Sequence, residues 1–465
     1  MSDTPSNDAA NGLSNGNASA SEPSNADAIP FLPVVGIGAS AGGVEALQQF
    51  FSALPPEPGM TFIVILHMPS DSESNLISIL QNATGLTVEA AASGTTVEPN
   101  HVYVIPPGHR LTIADGVLHL ESSATAHDIS TVDGFFRSLA RDQTDHAVGM
   151  VFSGTGTDGA LGLRAINEGG GITMVQDPTE AAHDGMPESA KRASLIDCVA
   201  PVRELAEILL RYQKASGMIQ LPSQSDALND ERKSVLQRIF AQLLTTTGHD
   251  FTNYKRSTVL RRLERRLRIS ATTSLKQYFK RLQADEEEVW DLHRDLLISV
   301  TSFFRDPEAF EALRTTIIPT LFDGKTSGDS VRVWVPGCAT GEEAYSIAML
   351  LLEHADSLEQ PPHLQVFATD VDEQALQFGR NGVYPRTIET DLAAERLERF
   401  FDLEMDHYRV RPRLREIMLF ARHNLLVDPP FSNLDLISCR NLLIYLNWDA
   451  QDYVFRVCHY GLREN

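Results

Sequence analysis

Two stretches of this chain share a pattern that few folds can use: an apolar run, a glycine-containing turn, then an amphipathic run. They are VVGIGASAGGVEAL at 34–47 and VRVWVPGCATGEEAYSIAML at 331–350. A short apolar run bounded by glycine reads as a strand buried on both faces, and the residues after each turn have helical spacing. Strand, tight turn and helix in that order make the repeating unit of a parallel sheet covered by helices. The expected fold class is therefore α/β, with two doubly wound, mainly parallel sheet domains. At 465 residues the chain is also too long for one core. The two halves are not copies of each other.

Around the first pattern, further strands are expected at 62–66, 102–105, 147–152 and 172–175, with helices at 43–51, 132–141 and 202–214. Around the second, strands are expected at 331–335, 364–368 and 434–438. Residues 1–30 are Ser, Asn, Ala, Asp and Gly with almost nothing to bury, so they read as a disordered tail. The segment 216–230 reads as a linker. After it, KRSTVLRRLERRLRIS sets Leu260, Leu263 and Leu267 at helical spacing among five arginines. By itself this is best read as a solvated amphipathic helix; the sharper reading is a basic face that docks an acidic partner.

The formal net charge of −23 argues against nucleic acid as a partner. Cys198, Cys338, Cys439 and Cys458 are scattered without metal-type or disulfide-type spacing, which fits a reducing cytoplasm and no metal. No apolar run approaches the length a spanning helix needs, and the N-terminus lacks the features of a signal peptide.

In the first turn, Gly36, Gly38 and Gly42 approximate a dinucleotide-binding loop, and on that motif alone such a loop is the favoured reading. Two later features move against it. The next strand, FIVIL, ends at His67, where a ribose would need an acid; the strand AVGMVF runs into SGTGTDGA and presents Asp158. Ser40, His67 and Asp158 each follow the C-terminal end of a parallel strand, the edge where open α/β sheets hold their sites. A serine hydroxyl becomes nucleophilic when an imidazole takes its proton and a carboxylate orients that imidazole. Backbone N–H groups at the following helix start, that of Ala41 among them, can stabilise an oxyanion.

In the second turn, PGCATGEE brings backbone close to a ligand, while Glu342 and Glu343 are too acidic for a phosphate cradle. The next strand, LQVFATDVD, ends at Asp370, where a carboxylate can accept from ribose hydroxyls. A nicotinamide dinucleotide is the alternative ligand. The acidic loop and the missing G-x-G-x-x-G favour S-adenosylmethionine.

GIGASAGG, LHMP, VYVIPPGHRL, SGTGTDGALG and VQDPTEAAHDGMPESA, in that order, resemble the catalytic domain of the chemotaxis receptor protein-glutamate methylesterase (CheB) across residues 31–215. The resemblance implies Ser40 as nucleophile, His67 as general base and Asp158 as its orienting acid. It implies a γ-glutamyl methyl ester on receptor helices as substrate, with glutamine deamidation as a second activity. The family commonly carries Met where this chain has Thr155, which makes Thr155 the weaker candidate for oxyanion support. The phosphorylatable receiver domain that normally precedes the esterase is replaced by the tail, so control by aspartyl phosphorylation within this chain is not expected.

FTNYKRSTVLRRLERRLR, SVTSFFRDPEAF, PGCATGEEAYSIA, ATDVD, ARHNLL and ISCRNLLIYLN resemble the chemoreceptor glutamate methyltransferase (CheR) across about 235–465. This implies a small all-helical domain at 231–290 and a catalytic domain at 291–465. It implies Thr301 and Arg305 beside the donor, with Glu342 or Glu343 and Asp370 binding it, and Asn424, Leu425, Arg440 and Asn441 around its adenine and carboxylate ends. Arg305 and Tyr445 are expected nearest the reacting carboxylate. Ser299 stands where the family often has Asn. The basic helix becomes part of the helical domain and is expected to face acidic receptor helices. The chain stops where the family continues into its last strands, so apolar surface is expected to be exposed there.

The two resemblances together imply a bifunctional cytoplasmic chemotaxis-type enzyme. It would act on the cytoplasmic helices of methyl-accepting receptors and be controlled through partners such as a histidine kinase or a response regulator. The alternatives are a non-enzymatic scaffold keeping both folds, or a protein active only as an esterase.

Overall fold

The computed structural model describes residues 32–66, 75–122, 131–193, 196–216, 230–297, 301–405 and 407–463. Among the described residues of the first half, nine strands form: β1 (Val34–Ala39), β2 (Thr61–Leu66), β3 (Thr87–Ala90), β4 (His101–Val104), β5 (His109–Ala114), β6 (Val117–Ser122), β7 (Ala147–Val151), β8 (Ile172–Gln176) and β9 (Cys198–Ala200). Six helices of eight or more residues accompany them: α1 (Gly43–Ser52), α2 (Leu76–Ala83), α3 (Thr131–Gln143), α4 (Ala160–Gly169), α5 (Gly185–Ala193) and α6 (Val202–Ser216).

Seven strands make one parallel sheet in the order β3-β4-β2-β1-β7-β8-β9. Every residue of β1, β2, β7 and β8 is buried, as helices on both faces require. On one face Phe50, Phe51, Phe62 and Phe152 meet edge-on or tilted at 5.4–6.1 Å. On the other, α3 lies directly against β1. A Cβ at Gly38 would stand 2.3 Å from Val132 Cγ1, and one at Gly36 would stand 2.9 Å from the Phe136 ring. These two glycines therefore serve helix-on-strand packing inside β1; only Gly42, with φ of +74°, belongs to the turn. The expected strands are present; β3, β9 and the β5–β6 hairpin are additional.

Between the two sheets lie α7 (Asp230–Thr247), α8 (Arg256–Ile269), α9 (Leu275–Ala284) and α10 (Glu286–Leu296), joined by a core that includes Leu243, Leu263, Leu267, Tyr278 and Leu292. The Ser274 and Asp285 side chains cap α9 and α10 by accepting backbone N–H groups.

The remaining strands are β10 (Ser330–Pro336), β11 (His363–Asp370), β12 (Val383–Pro385), β13 (Phe401–Glu404), β14 (His407–Val410), β15 (Met418–Arg422) and β16 (Leu436–Ile437), with α11 (Glu342–Ala355), α12 (Glu373–Asn381) and α13 (Trp448–Gly461). β15-β11-β10-β16 form a second parallel sheet, and β12-β14-β13 a small antiparallel one. The strand expected at 434–438 keeps only two residues, at the edge of the described sheet. Beside it α13 exposes Trp448 (80%), Phe455 (61%) and Tyr460 (73%).

The basic helix α8 leaves Arg256 and Arg261 exposed but does not offer its other arginines to solvent. Arg262, Arg265, Arg266 and Arg268 are all buried. Arg262 donates to the carbonyls of Asn167 (2.9 Å) and Glu168 (2.7 Å), and Arg265 to that of Gly171 (2.9 Å), at the C-terminal end of α4. Cations there meet the negative end of the helix dipole. Arg265 also pairs with Asp197 (2.5 Å) and Asp295 (2.6 Å), and Arg268 with Asp145 (3.3 Å). For Arg262, Arg265 and Arg268 the expected partner-facing surface is thus spent on joining the halves of the chain, while Arg266 pairs with Glu288 and Asp291 inside the helical unit.

Candidate functional site

Ser40 follows β1 at the point where the strand order reverses, with β2 on one side and β7 on the other. Open α/β sheets place their crevice at this switch point. The Ser40 N–H donates to the Ser153 carbonyl (3.0 Å), and its carbonyl accepts from Gly43 N–H (2.9 Å), so the residue is fixed on both sides. A Cβ at Gly154 would lie 3.0 Å from Ser40 Cβ and 2.1 Å from Met186 Sδ. Glycine there lets the 153–158 turn close onto the serine.

The turn after β7 is itself braced. Ser153 Oγ donates to the Ala41 carbonyl (2.8 Å) and accepts from His183 N–H (2.9 Å), while Ser153 N–H donates to Gln176 (2.8 Å). Ser153 is thus the central support of the site, yet the sequence reading passed over it. Its one signal is a second serine opening SGTGTDGA. Thr155 is exposed on this turn, and Ala41 is half-buried at the entry to α1.

Asp158 is buried, and its two oxygens accept from Val132 N–H and Asp133 N–H, both at 2.9 Å. It therefore closes the N-terminus of α3. Burial pushes its carboxyl upward, with the Asp133 carboxylate adding to the shift; the backbone N–H donors oppose both. Lone pairs remain on each oxygen for a further donor. His67 lies outside the described residues.

The second site divides into two neighbouring spaces. Asp370, Asn424, Leu425, Arg440, Asn441 and Tyr445 line one cavity, with Gly337 and Ala339 from the acidic loop. Asp370 accepts from Ala339 N–H (2.8 Å) and Asp372 N–H (3.0 Å), and burial pushes it up to about 6. Ala339 (φ 48°) and Asn441 (φ 57°) are non-glycine residues in the left-handed region, strain that concentrates where a loop is shaped for a ligand. The same cavity takes in His249 and Tyr254 from the helical unit, which the sequence reading did not single out. His249 Nε2 and the Tyr254 hydroxyl are 3.1 Å apart.

Thr301, Arg305 and Glu342 line the other space, a cleft of about 580 Å³ whose far wall is Arg137, Arg141 and Arg164 of the first half. Arg440 bridges the two spaces by donating to the Arg305 carbonyl and to Asp306, both at 2.8 Å. Glu343 accepts from Ser438 Oγ (2.6 Å), and burial raises its carboxyl.

The first cavity fits a sulfonium nucleoside by its donor set: a carboxylate at the end of β11, an apolar slot of Val371, Leu425 and Leu442, and Arg440.

Comparison with known proteins decides the family. The CheB methylesterase family matches residues 35–209, the all-alpha domain of CheR methyltransferase matches 234–297, and its SAM binding domain matches 299–465. The chain belongs to both families, CheB and CheR, fused in one polypeptide.

An uncharacterized 104.1 kDa protein of Rhodobacter capsulatus is 36% identical over 83% of this chain and 43% of its own length. A protein-glutamate methylesterase/protein-glutamine glutaminase of Moorella thermoacetica is 33% identical over 40% of this chain, which covers 46% of that protein. Chemotaxis protein methyltransferase 2 of Vibrio cholerae is 33% identical over 43% of this chain and 71% of its own length. The chain thus spans under half the length of the first two relatives. Among the described residues no helix is long and apolar enough to cross a membrane, and no cluster of metal-ligating side chains occurs.

Proposed function

We propose that the CheB half hydrolyses glutamyl methyl esters and that the CheR half forms them. The observation that carries the first activity is the seating of Ser40 at the switch point of the sheet, packed on the turn that leads to buried Asp158. Ser40 Oγ attacks the ester carbonyl as its proton passes to the His67 imidazole. Asp158 orients that ring and stabilises its cation. Methanol leaves with the proton returned by His67, and water then cleaves the acyl-enzyme by the same relay to free the glutamate. Backbone N–H groups entering α1, with that of Ala41 foremost and Thr155 opposite, stabilise the tetrahedral oxyanion. The same machinery admits a glutamine side chain, ammonia replacing methanol.

For the CheR half, S-adenosylmethionine supplies an activated methyl on sulfur. Asp370 would hold its ribose hydroxyls, and Asn424, Leu425, Arg440 and Asn441 would surround its adenine and carboxylate ends. Thr301, Glu342 and Glu343 shape the loop side. Arg305 and Tyr445 align the acceptor carboxylate, because methyl transfer depends chiefly on placing the two reactants in line. The acceptors are glutamates on chemoreceptor helices.

The test is methanol release from a methylated receptor peptide. Wild type should release methanol and Ser40→Ala should not; equal release would overturn the esterase assignment. Calorimetric titration with S-adenosylhomocysteine tests the second half, where absence of binding heat would refute it.

A further inference from the structure

Arg164 belongs to the CheB half but does its bonding in the CheR half. It sits on α4, the helix that starts directly after the Asp158 turn, and is 9% exposed. Its Nη1 donates to Glu342 Oε1 at 2.6 Å, its Nε to Glu168 Oε1 at 3.1 Å, and its Nη2 to the Thr301 carbonyl. Glu342 is 2% exposed, and its other oxygen accepts from Thr340 Oγ1 at 2.6 Å.

A carboxylate buried this deeply needs a counter-charge, because desolvation otherwise outweighs anything a hydroxyl can return. The cation that meets Glu342 comes from the other half of the chain. Glu342 and Thr340 flank Gly341, the left-handed residue (φ +96°) that starts α11. One residue before Thr340, Ala339 N–H is held by Asp370, inside the donor cavity. Ser346 Oγ donates to the Glu342 carbonyl (2.7 Å) and accepts from Phe304 N–H (3.0 Å), which ties the segment after Thr301 to the same turn. Guanidinium, carboxylate, loop and donor cavity are therefore contiguous.

We propose that Arg164 is a positioning residue of the methyltransferase: the esterase half supplies the cation that seats the donor loop. This rests on the reading of the CheR half as a donor-binding transferase. It gives the fusion a physical consequence, since the transferase loop is complete only with the esterase half docked on it. By linkage, donor binding and docking of the halves must favour one another equally.

The experiment is titration of the full chain with S-adenosylhomocysteine, joined to methyl-transfer kinetics. Arg164→Met should weaken binding at least tenfold and raise the KM for the donor, with kcat within threefold of wild type. Adding Glu342→Gln to Arg164→Met should recover at least threefold of that affinity, since the charge stranded in the donor loop is gone while Glu168, outside that loop, is unchanged between the two variants. Arg164→Lys keeps the charge but not the planar fork to Thr301 and should fall between the two. If Arg164→Met does not fold, Arg164→Lys carries the test, with at least a threefold loss expected. Binding by Arg164→Met within twofold of wild type, or a double variant no tighter than the single, overturns the proposal. No binding by wild type would instead overturn the transferase reading beneath it.

Discussion

Arg265 of the CheR half donates to Asp197 of the CheB half at 2.5 Å, with both side chains almost wholly buried. The same guanidinium reaches Asp295 at 2.6 Å and the Gly171 carbonyl at 2.9 Å. One side chain thus neutralises two buried carboxylates and terminates a backbone segment across the domain boundary.

Arg265→Ala should therefore cost about 3–5 kcal/mol of stability, because it strands the Asp197 carboxylate and leaves Asp295 only Arg266, at 3.8 Å. Urea unfolding followed by tryptophan fluorescence measures it. Arg265→Met combined with Asp197→Asn and Asp295→Asn should regain much of the loss. A deficit below about 1 kcal/mol for the alanine variant would mean the network is not what holds the halves together.

How much of this was legible in the residues differs from element to element. VVGIG declared itself because a strand buried on both faces is continuously apolar, and VRVWV nearly so, with Arg332 half-buried; Ser40, His67 and Asp158 are singled out in the sequence by following the ends of such runs. The hairpin β5–β6 was missed although Asp115 and Gly116, both with positive φ, carry a standard two-residue turn signal between alternating runs. The basic helix was misjudged for another reason. Arginines at 262, 265, 266 and 268 look solvated in any one-dimensional pattern, and only the fold shows that the end of α4, Asp197, Glu288 and Asp145 wait for them. Likewise Glu342 reads as a ligand-binding acid until Arg164, 178 positions away, is seen bonded to it.

Asp158 has a structural duty beside its proposed catalytic one, and the two are separable. Asn keeps one carbonyl oxygen for the N-terminus of α3 but turns an amide N–H toward the other backbone donor, so Asp158→Asn should cost about 1 kcal/mol in thermal stability through the lost hydrogen bond. Ester hydrolysis should fall by about 10³–10⁴, as expected when an orienting carboxylate is neutralised. Methanol release and a melting curve on the same preparation settle the division. A rate within tenfold of wild type would reduce Asp158 to a helix cap.

Gly38 tests the approach of α3 to β1. Its added methyl would lie 2.3 Å from Val132 Cγ1, so Gly38→Ala should destabilise the CheB half by about 1–3 kcal/mol. Val132→Ala alone should also destabilise, by leaving a void. The double variant should be more stable than the sum of the two losses, since each change makes room for the other. Additive losses in urea midpoints would mean that the helix shifts away instead of clashing.

The helical unit carries an acid-sensitive pair. Burial, reinforced by neighbouring positive charge from His293, brings His249 down to about 4; burial and then Arg422 bring His293 to about 4 as well. A histidine whose folded value lies below 6.5 takes up its proton more readily in the unfolded chain. Its contribution is therefore present above pH 6.5 and is lost as pH falls toward 4. Between pH 7.5 and 5, wild type should lose about 2 kcal/mol more stability than His249→Gln, in which that uptake is absent. Urea midpoints of the two proteins across this range give the comparison, with His293 titrating in both. Parallel curves would show that the His249 ring accepts its proton in the folded protein, against its seat between Tyr254 and Phe251.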